Sequence, residues 1–185
     1  MKKPSEPDAN ERALAATFCK DARSQLQKYT PRIVRCLQLL SEKDIWWRPN
    51  DVSNAAGNIV LHLCGNVRQW ILSGLGGAPD HRERDKEFSE QGPLPRHALI
   101  SQLKSTVKEA CQTISGASAK TLSREFEIQG FRVSGLVAIA HVCEHFAYHT
   151  GQIIYLTKLK RGRDLQFTRL PSRKRSPHRP IASRP

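Results

Sequence analysis

His141-Val142-Cys143-Glu144-His145-Phe146-Ala147-Tyr148-His149-Thr150-Gly151-Gln152 sets three histidines four residues apart within a largely apolar segment. In an α-helix four residues turn through about 400° and rise about 6 Å, so the three imidazoles share one face. Two of them at that spacing converge on one ion held beside the helix. Neutral imidazole is a preferred ligand of zinc, nickel, iron and copper, and a pair on one helix needs a further ligand from elsewhere in the fold. His62 is the candidate: it lies in Asn58-Ile59-Val60-Leu61-His62-Leu63-Cys64-Gly65-Asn66, a second mainly apolar helical stretch, where an unpaired buried imidazole would be costly. The competing reading makes these core histidines, their ring nitrogens bonded to backbone or carboxylate, and the spacing alone does not decide between the two. Three histidines on one helix span two turns, too far for one ion, so His141 is expected to support the site rather than ligate.

Working outward, nearly all of the chain reads as helix. Asp8 and Glu11 form a capping-box pattern, and Leu14, Phe18, Ala22, Leu26 and Tyr29 repeat at helical spacing. Pro31 is expected to kink or restart this first helix, after which Ile33, Val34, Leu37 and Leu40 continue the stripe. A second helix starts near Ser53 or Asn54 and ends at Gly74, Gly76 and Gly77. A third follows Pro95, with Leu99, Leu103, Val107, Ala110 and Ile114 on one face, and ends near Gly116. Leu122 to Val133 alternates loosely around Gly130 and suggests a short extended hairpin. The last helix runs from about Ser134 to Lys158, apolar on most faces apart from its histidine stripe, which places it in the bundle interior. An all-α four-helix bundle follows, a fold that builds metal sites from facing helices.

His145-Phe-Ala-Tyr-His149-Thr-Gly-Gln152, preceded by a helix containing His62, resembles the closing His-x-x-x-His-x-Gly-Gln signature of the DinB-like (YfiT-like) superfamily of metal-binding four-helix bundles. Trp46-Trp47-Arg48-Pro49, Gly57 to Ile71, Gly76-Gly77-Ala78-Pro79-Asp80 and Gly162-Arg163-Asp164-Leu165-Gln166-Phe167 look like a less characterised branch of it. The resemblance covers roughly residues 10 to 168. It implies the ligand set His62, His145 and His149, and it suggests a homodimer. The signature often carries arginine before Gly-Gln, where this chain has Thr150, so no role is carried over for that arginine.

Composition fits one helical domain over residues 9–168, between a flexible N-terminus (1–8) and a basic tail (169–185) expected to be disordered. With 38% apolar and 25% charged residues the 185-residue chain can bury a substantial core. No apolar run approaches the roughly 20 residues of a membrane span, and Met1-Lys2-Lys3-Pro4-Ser5-Glu6-Pro7-Asp8 lacks the apolar core of a secretory signal, so a cytoplasmic location is expected. Cys19, Cys36, Cys64, Cys111 and Cys143 are odd in number and without a C-x-x-C pairing, which points to reduced thiols. Cys64 and Cys143 each lie two residues from a proposed ligand, so on a helix they point away from it. The net charge of +13 is local: residues from Lys158 onward carry +9 and the rest +4. Without a base-reading motif this predicts at most weak, salt-dependent attraction to polyanions, and no specific nucleic-acid function.

Three protein ligands leave a coordination position open, the arrangement of a catalytic rather than a closed structural metal. Zinc or nickel there would activate water or a thiol at neutral pH. Superfamily relatives include thiol-dependent transferases and isomerases, so the resemblance favours a transferase that activates a low-molecular-weight thiol on behalf of a small-molecule substrate. A metal-dependent hydrolase, or a non-enzymatic metal-binding or interaction protein, is the alternative. Asn66, one turn from His62, and Gln152, three residues beyond His149, are the expected partners of ligand or substrate. Leu75 to Pro95, with Asp80-His81-Arg82-Glu83-Arg84-Asp85-Lys86-Glu87, reads as a solvated crossover rather than a substrate-contacting lid. His81 is expected at the surface, and no Asp or Glu stands out as a general base.

Overall fold

Asp8 starts the first helix: its side chain accepts from the Glu11 amide at 2.8 Å, and Glu11 accepts from the Asp8 amide at 3.0 Å, the reciprocal pair that the sequence pattern predicts. In this computed structural model, residues 7–92 and 94–168 are described. The basic tail, 169–185, and residues 1–6 of the N-terminal stretch lie outside them.

Helix α1, Ala9–Leu39, runs through Pro31 without restarting. Proline removes the bond to the carbonyl of Gln27, but Pro31 and Gln27 both face solvent, where water satisfies that oxygen. Packing of Leu26, Ile33 and Leu37 on the opposite face then decides the path. The buried face is rotated at its start relative to the expected stripe: Ala15 and Cys19 are inside, while Leu14 is 72% exposed.

After a short α2, Glu42–Ile45, helix α3 spans Ala56–Val67 and continues as wider π-helical turns over Arg68–Leu75. The Gly76 amide reaches the Ile71 carbonyl, five residues back, at 2.9 Å. The crossover carries a further short helix, α4, Arg84–Ser89. Helix α5, Arg96–Ser115, buries Leu99, Leu103, Val107, Ala110 and Ile114, the five positions that the periodicity selects. A short α6, Ala119–Ser123, leads to the hairpin β1, Glu125–Ile128, and β2, Phe131–Ser134, paired antiparallel with Glu125 opposite Ser134. Its two-residue turn, Gln129-Gly130, has φ of 56° and 79°. A type I′ turn needs positive φ at both positions, which glycine supplies freely. Ser134 caps the last helix, α7, Gly135–Arg161.

Helices α1 and α3 each pack against both α5 and α7, so the four long helices close a ring with α1 and α3 on one diagonal. One continuous apolar cluster fills the centre. Because no helix of such a ring is central, α7 is not interior all round: Val137, Tyr148, Tyr155 and Leu159 are exposed on its outer face. Among the described residues no helix is long and apolar enough to cross a membrane.

Candidate metal centre

His62 comes from the middle of α3 and His145 and His149 from α7, which packs directly on it. One nitrogen from each imidazole lies within 4.8 Å of the others, a group able to hold a metal ion. The Nε2 atoms of His62 and His145 are 2.9 Å apart. Tetrahedral ligands on a first-row ion sit about 3.3 Å from one another, so the pair is already near ligand spacing. Two of the other ring nitrogens, those of His149 and His62, are held from behind. His149 Nδ1 donates to Gln152 Oε1 at 2.6 Å, and His62 Nδ1 lies 2.9 Å from Glu87 Oε2. The bond to Gln152 puts the proton of His149 on Nδ1 and leaves its Nε2 lone pair free.

Burial, then the neighbouring imidazoles of His149 and His62, push the pKa of His145 down to about 3. Burial also lowers that of His149, against the opposing bond from Gln152. Both rings are therefore neutral at physiological pH, the form in which imidazole binds metal. For the metal-free protein the linkage has a definite sign. A depressed histidine pKa means that the unfolded chain takes up the proton first, so stability is intact above about pH 6.5 and falls as the pH drops toward 3. Thermal melts of chelator-treated protein between pH 7.5 and 4 should show Tm falling steadily. A Tm unchanged to pH 4 would contradict this account of the imidazoles.

His141 stands one turn behind the cluster, as its spacing implies. Its ring stacks on His145 with centroids 5.3 Å apart and packs against Trp70 with centroids 4.0 Å apart. Burial lowers its pKa too. Trp70 lies in the π-helical turns and donates through Nε1 to Gln129 in the hairpin at 3.3 Å, so hairpin, tryptophan and His141 form one continuous support for His145. Asn66 is buried beside His141, its Nδ2 3.3 Å from His141 Nε2, and makes no hydrogen bond to the three converging rings. Of the two expected partners, only Gln152 therefore bonds to one of the three clustered histidines. His81 is exposed, as anticipated, and so is Glu144.

The crossover is where the sequence reading fell short. Helix α4 lies on α3, and Glu87 is only 8% exposed. Its carboxylate meets Arg82 through Nε at 2.8 Å and Nη2 at 2.9 Å, besides His62. Burial opposes its ionisation, but the bonds from Arg82 and His62 outweigh burial and hold its pKa below the usual carboxylate value. Phe88 packs its ring against His62 at 4.7 Å. Two sequence features could have pointed here. Gly65, one turn after His62, interrupts a helix that is otherwise well filled, and a Cβ at that position would sit 1.8 Å from Glu87 Oε1. Asn58, fully buried, donates to the carbonyls of Glu87 and Glu90 at 3.0 and 2.7 Å and so satisfies the end of α4.

The five cysteines are free and buried. Burial pushes Cys64 up to about 12 and Cys143 up to about 11, so neither is a thiolate ligand or nucleophile at neutral pH.

Residues 13–174 match the family described as "Protein of unknown function (DUF1572)". Among solved structures, the chain is similar to a conserved protein from Enterococcus faecalis, with 14% identity, a TM-score of 0.67, and coverage of 78% of this chain and 97% of that one. A DinB-like protein from Bacillus subtilis is 16% identical with a TM-score of 0.59, over 82% of this chain and 96% of its own. A DinB-like protein from Bacillus cereus is likewise 16% identical with a TM-score of 0.59, over 72% and 87%. At these identities the likeness concerns the fold. No curated protein matches the sequence.

Proposed function

The chain belongs to the DUF1572 family, whose function is unknown, and from that premise and the geometry above we propose a metal-dependent transferase that activates a small thiol at His62, His145 and His149. The observation that carries the reading is the convergence of three imidazoles from two facing helices, two of them held neutral by burial. A zinc or nickel ion bound there would act as a Lewis acid that lowers the pKa of a thiol at its open position.

The residues of the chain divide the remaining work. Gln152 and Glu87 set the tautomers of His149 and His62. With every cysteine of the protein buried, the reacting sulfur comes from a second molecule. With an epoxide acceptor, sulfur bonds to a ring carbon as that carbon's C–O bond breaks, and the proton lost from S–H ends on the released alkoxide oxygen, so that the product is a hydroxy thioether. A cavity of 480 Å³ is lined by Gln152 with Ile59, Leu156, Leu159, Tyr155 and Asn54, and by none of the three histidines, so Gln152 is its one link to the cluster. Hydrolysis is less well supported, because Glu87, the carboxylate that touches the cluster, is already committed to His62 and Arg82.

The test begins with elemental analysis of untagged protein, then thiol consumption with cysteine or glutathione and an epoxide acceptor. Removal of the metal by a chelator should abolish turnover while the helical circular dichroism and a cooperative melt persist, since the apolar core is built independently of the histidines. Unfolding on chelation would assign the metal a structural role. Metal-free wild type that also refuses added zinc or nickel would remove the reading altogether.

A further inference from the structure

We propose that Glu87, clamped by Arg82, is the positioning residue that makes His62 an Nε2 ligand, so that the charged crossover is a working part of the metal centre. This rests on the metal reading above, but its first consequence is visible without metal. Two groups compete for His62 Nδ1. Glu87 Oε2 lies 2.9 Å away and Arg82 Nη2 lies 3.2 Å away. If Arg82 donated to Nδ1, the ring proton would sit on Nε2 and His62 would present N–H, not a lone pair, to His145. If Glu87 accepts from Nδ1–H, the Nε2 lone pair faces the cluster.

The geometry selects the second arrangement. The guanidinium gives Nε to Oε1 at 2.8 Å, one Nη2 hydrogen to Oε2 at 2.9 Å and Nη1 to Gln69 Oε1 at 2.8 Å, which leaves the second Nη2 hydrogen for the longer contact at His62 Nδ1, so the shorter Oε2 contact decides. An ionised carboxylate only accepts, so the short contact at Nδ1 requires the hydrogen to be on the ring. The arrangement is built into the fold. The Arg82 side chain is 5% exposed and its backbone amide is held by Asp80 at 3.0 Å. Gly65 leaves the space that Glu87 Oε1 fills. Asn58 and Arg48 hold the carbonyls at the far end of α4, Arg48 reaching Phe88 at 2.6 Å. A buried carboxylate behind a ligand histidine also strengthens its donor nitrogen, and losing such a partner typically lowers metal affinity about 10- to 100-fold.

The experiment uses the full-length protein as wild type, Glu87→Gln, Arg82→Gln/Glu87→Gln, and Gly65→Ala, which keeps the carboxylate but pushes it off its seat. Long-range 1H–15N correlation spectra of the metal-free proteins read the His62 tautomer, competition with a chromophoric chelator reads zinc affinity, and circular dichroism checks the fold. Wild type should show His62 protonated at Nδ1. Glu87→Gln and Gly65→Ala should mix the tautomers and bind zinc about 10-fold or more weakly while remaining helical. The double variant, which leaves no unpaired buried charge, should fold and still bind weakly, separating positioning from stability. An Nε2–H tautomer in wild type, or an unaltered tautomer and unaltered zinc affinity in folded variants, overturns the proposal. If wild type binds no zinc, the metal reading fails while the tautomer measurement still decides the role of Glu87.

Discussion

Replacing His149 with alanine is expected to lower the metal content of untagged protein from about one ion per chain to near zero, because two imidazoles alone leave a first-row ion without its third protein ligand. The same loss is expected for His62→Ala and His145→Ala, since each supplies one of the three converging nitrogens. His141→Ala is the informative contrast. Its ring packs against both His145 and Trp70 and lies outside the converging group, so metal content should survive while stability falls by about 1 kcal/mol from the lost stacking. Atomic absorption on the four variants distinguishes the cases. Full metal content in His149→Ala would mean that the histidines are core residues, and equal losses in all four would mean that the cluster works as a packed unit rather than as a ligand set.

Asn58→Ala is expected to cost about 3–4 kcal/mol and lower Tm by roughly 10 °C, more than any exposed substitution in the chain. The side chain is fully buried and meets five groups at once: the Ala55 amide at 3.3 Å, Arg48 Nη2 at 3.1 Å, and the carbonyls of Glu87, Phe88 and Glu90. Alanine removes the partner of the Ala55 amide and of the Glu87 and Glu90 carbonyls, while Arg48 keeps the Phe88 carbonyl, and each unsatisfied group costs about 1–3 kcal/mol. The loss should spread to the metal centre. With its end no longer held, α4 lets Glu87 drift from His62, so zinc affinity should fall although no ligand has changed. Chemical denaturation and zinc competition on the same samples test the two parts. Unaltered stability would show that water replaces the amide, and unaltered zinc affinity would show that Arg82 alone seats Glu87.

How far the sequence could be read depends on the range of the interaction. Helix boundaries follow from local chemistry: Asp8 with Glu11, Pro95 and Ser134 start helices where their side chains or fixed φ demand it. The i, i+4 spacing put His145 and His149 on one face without any tertiary information. Glu87 was illegible for the opposite reason. It sits among Asp80, Glu83, Arg84, Asp85 and Lys86, and nothing in a run of charges says which one turns inward. Only contact with α3 singles it out, because the notch at Gly65 and the amide of Asn58 are complementary to α4 and to no local pattern.

By itself, then, the sequence determined a bundle of four long helices, the stretch of α5 that faces the core, a short extended hairpin around Gly130 and the common face of His145 and His149. Each is set by periodicity or backbone preference within a few residues. The tertiary structure alone decided that α1 passes Pro31 unbroken, that Asn66 serves His141 rather than the clustered histidines, that Trp70 reaches His141 through widened helical turns, and that the crossover brings Glu87 and Arg82 beneath His62. Those outcomes depend on which surfaces are buried against each other, and burial is a property of the assembled chain: it turns one exposed charge among many into a paired, oriented group.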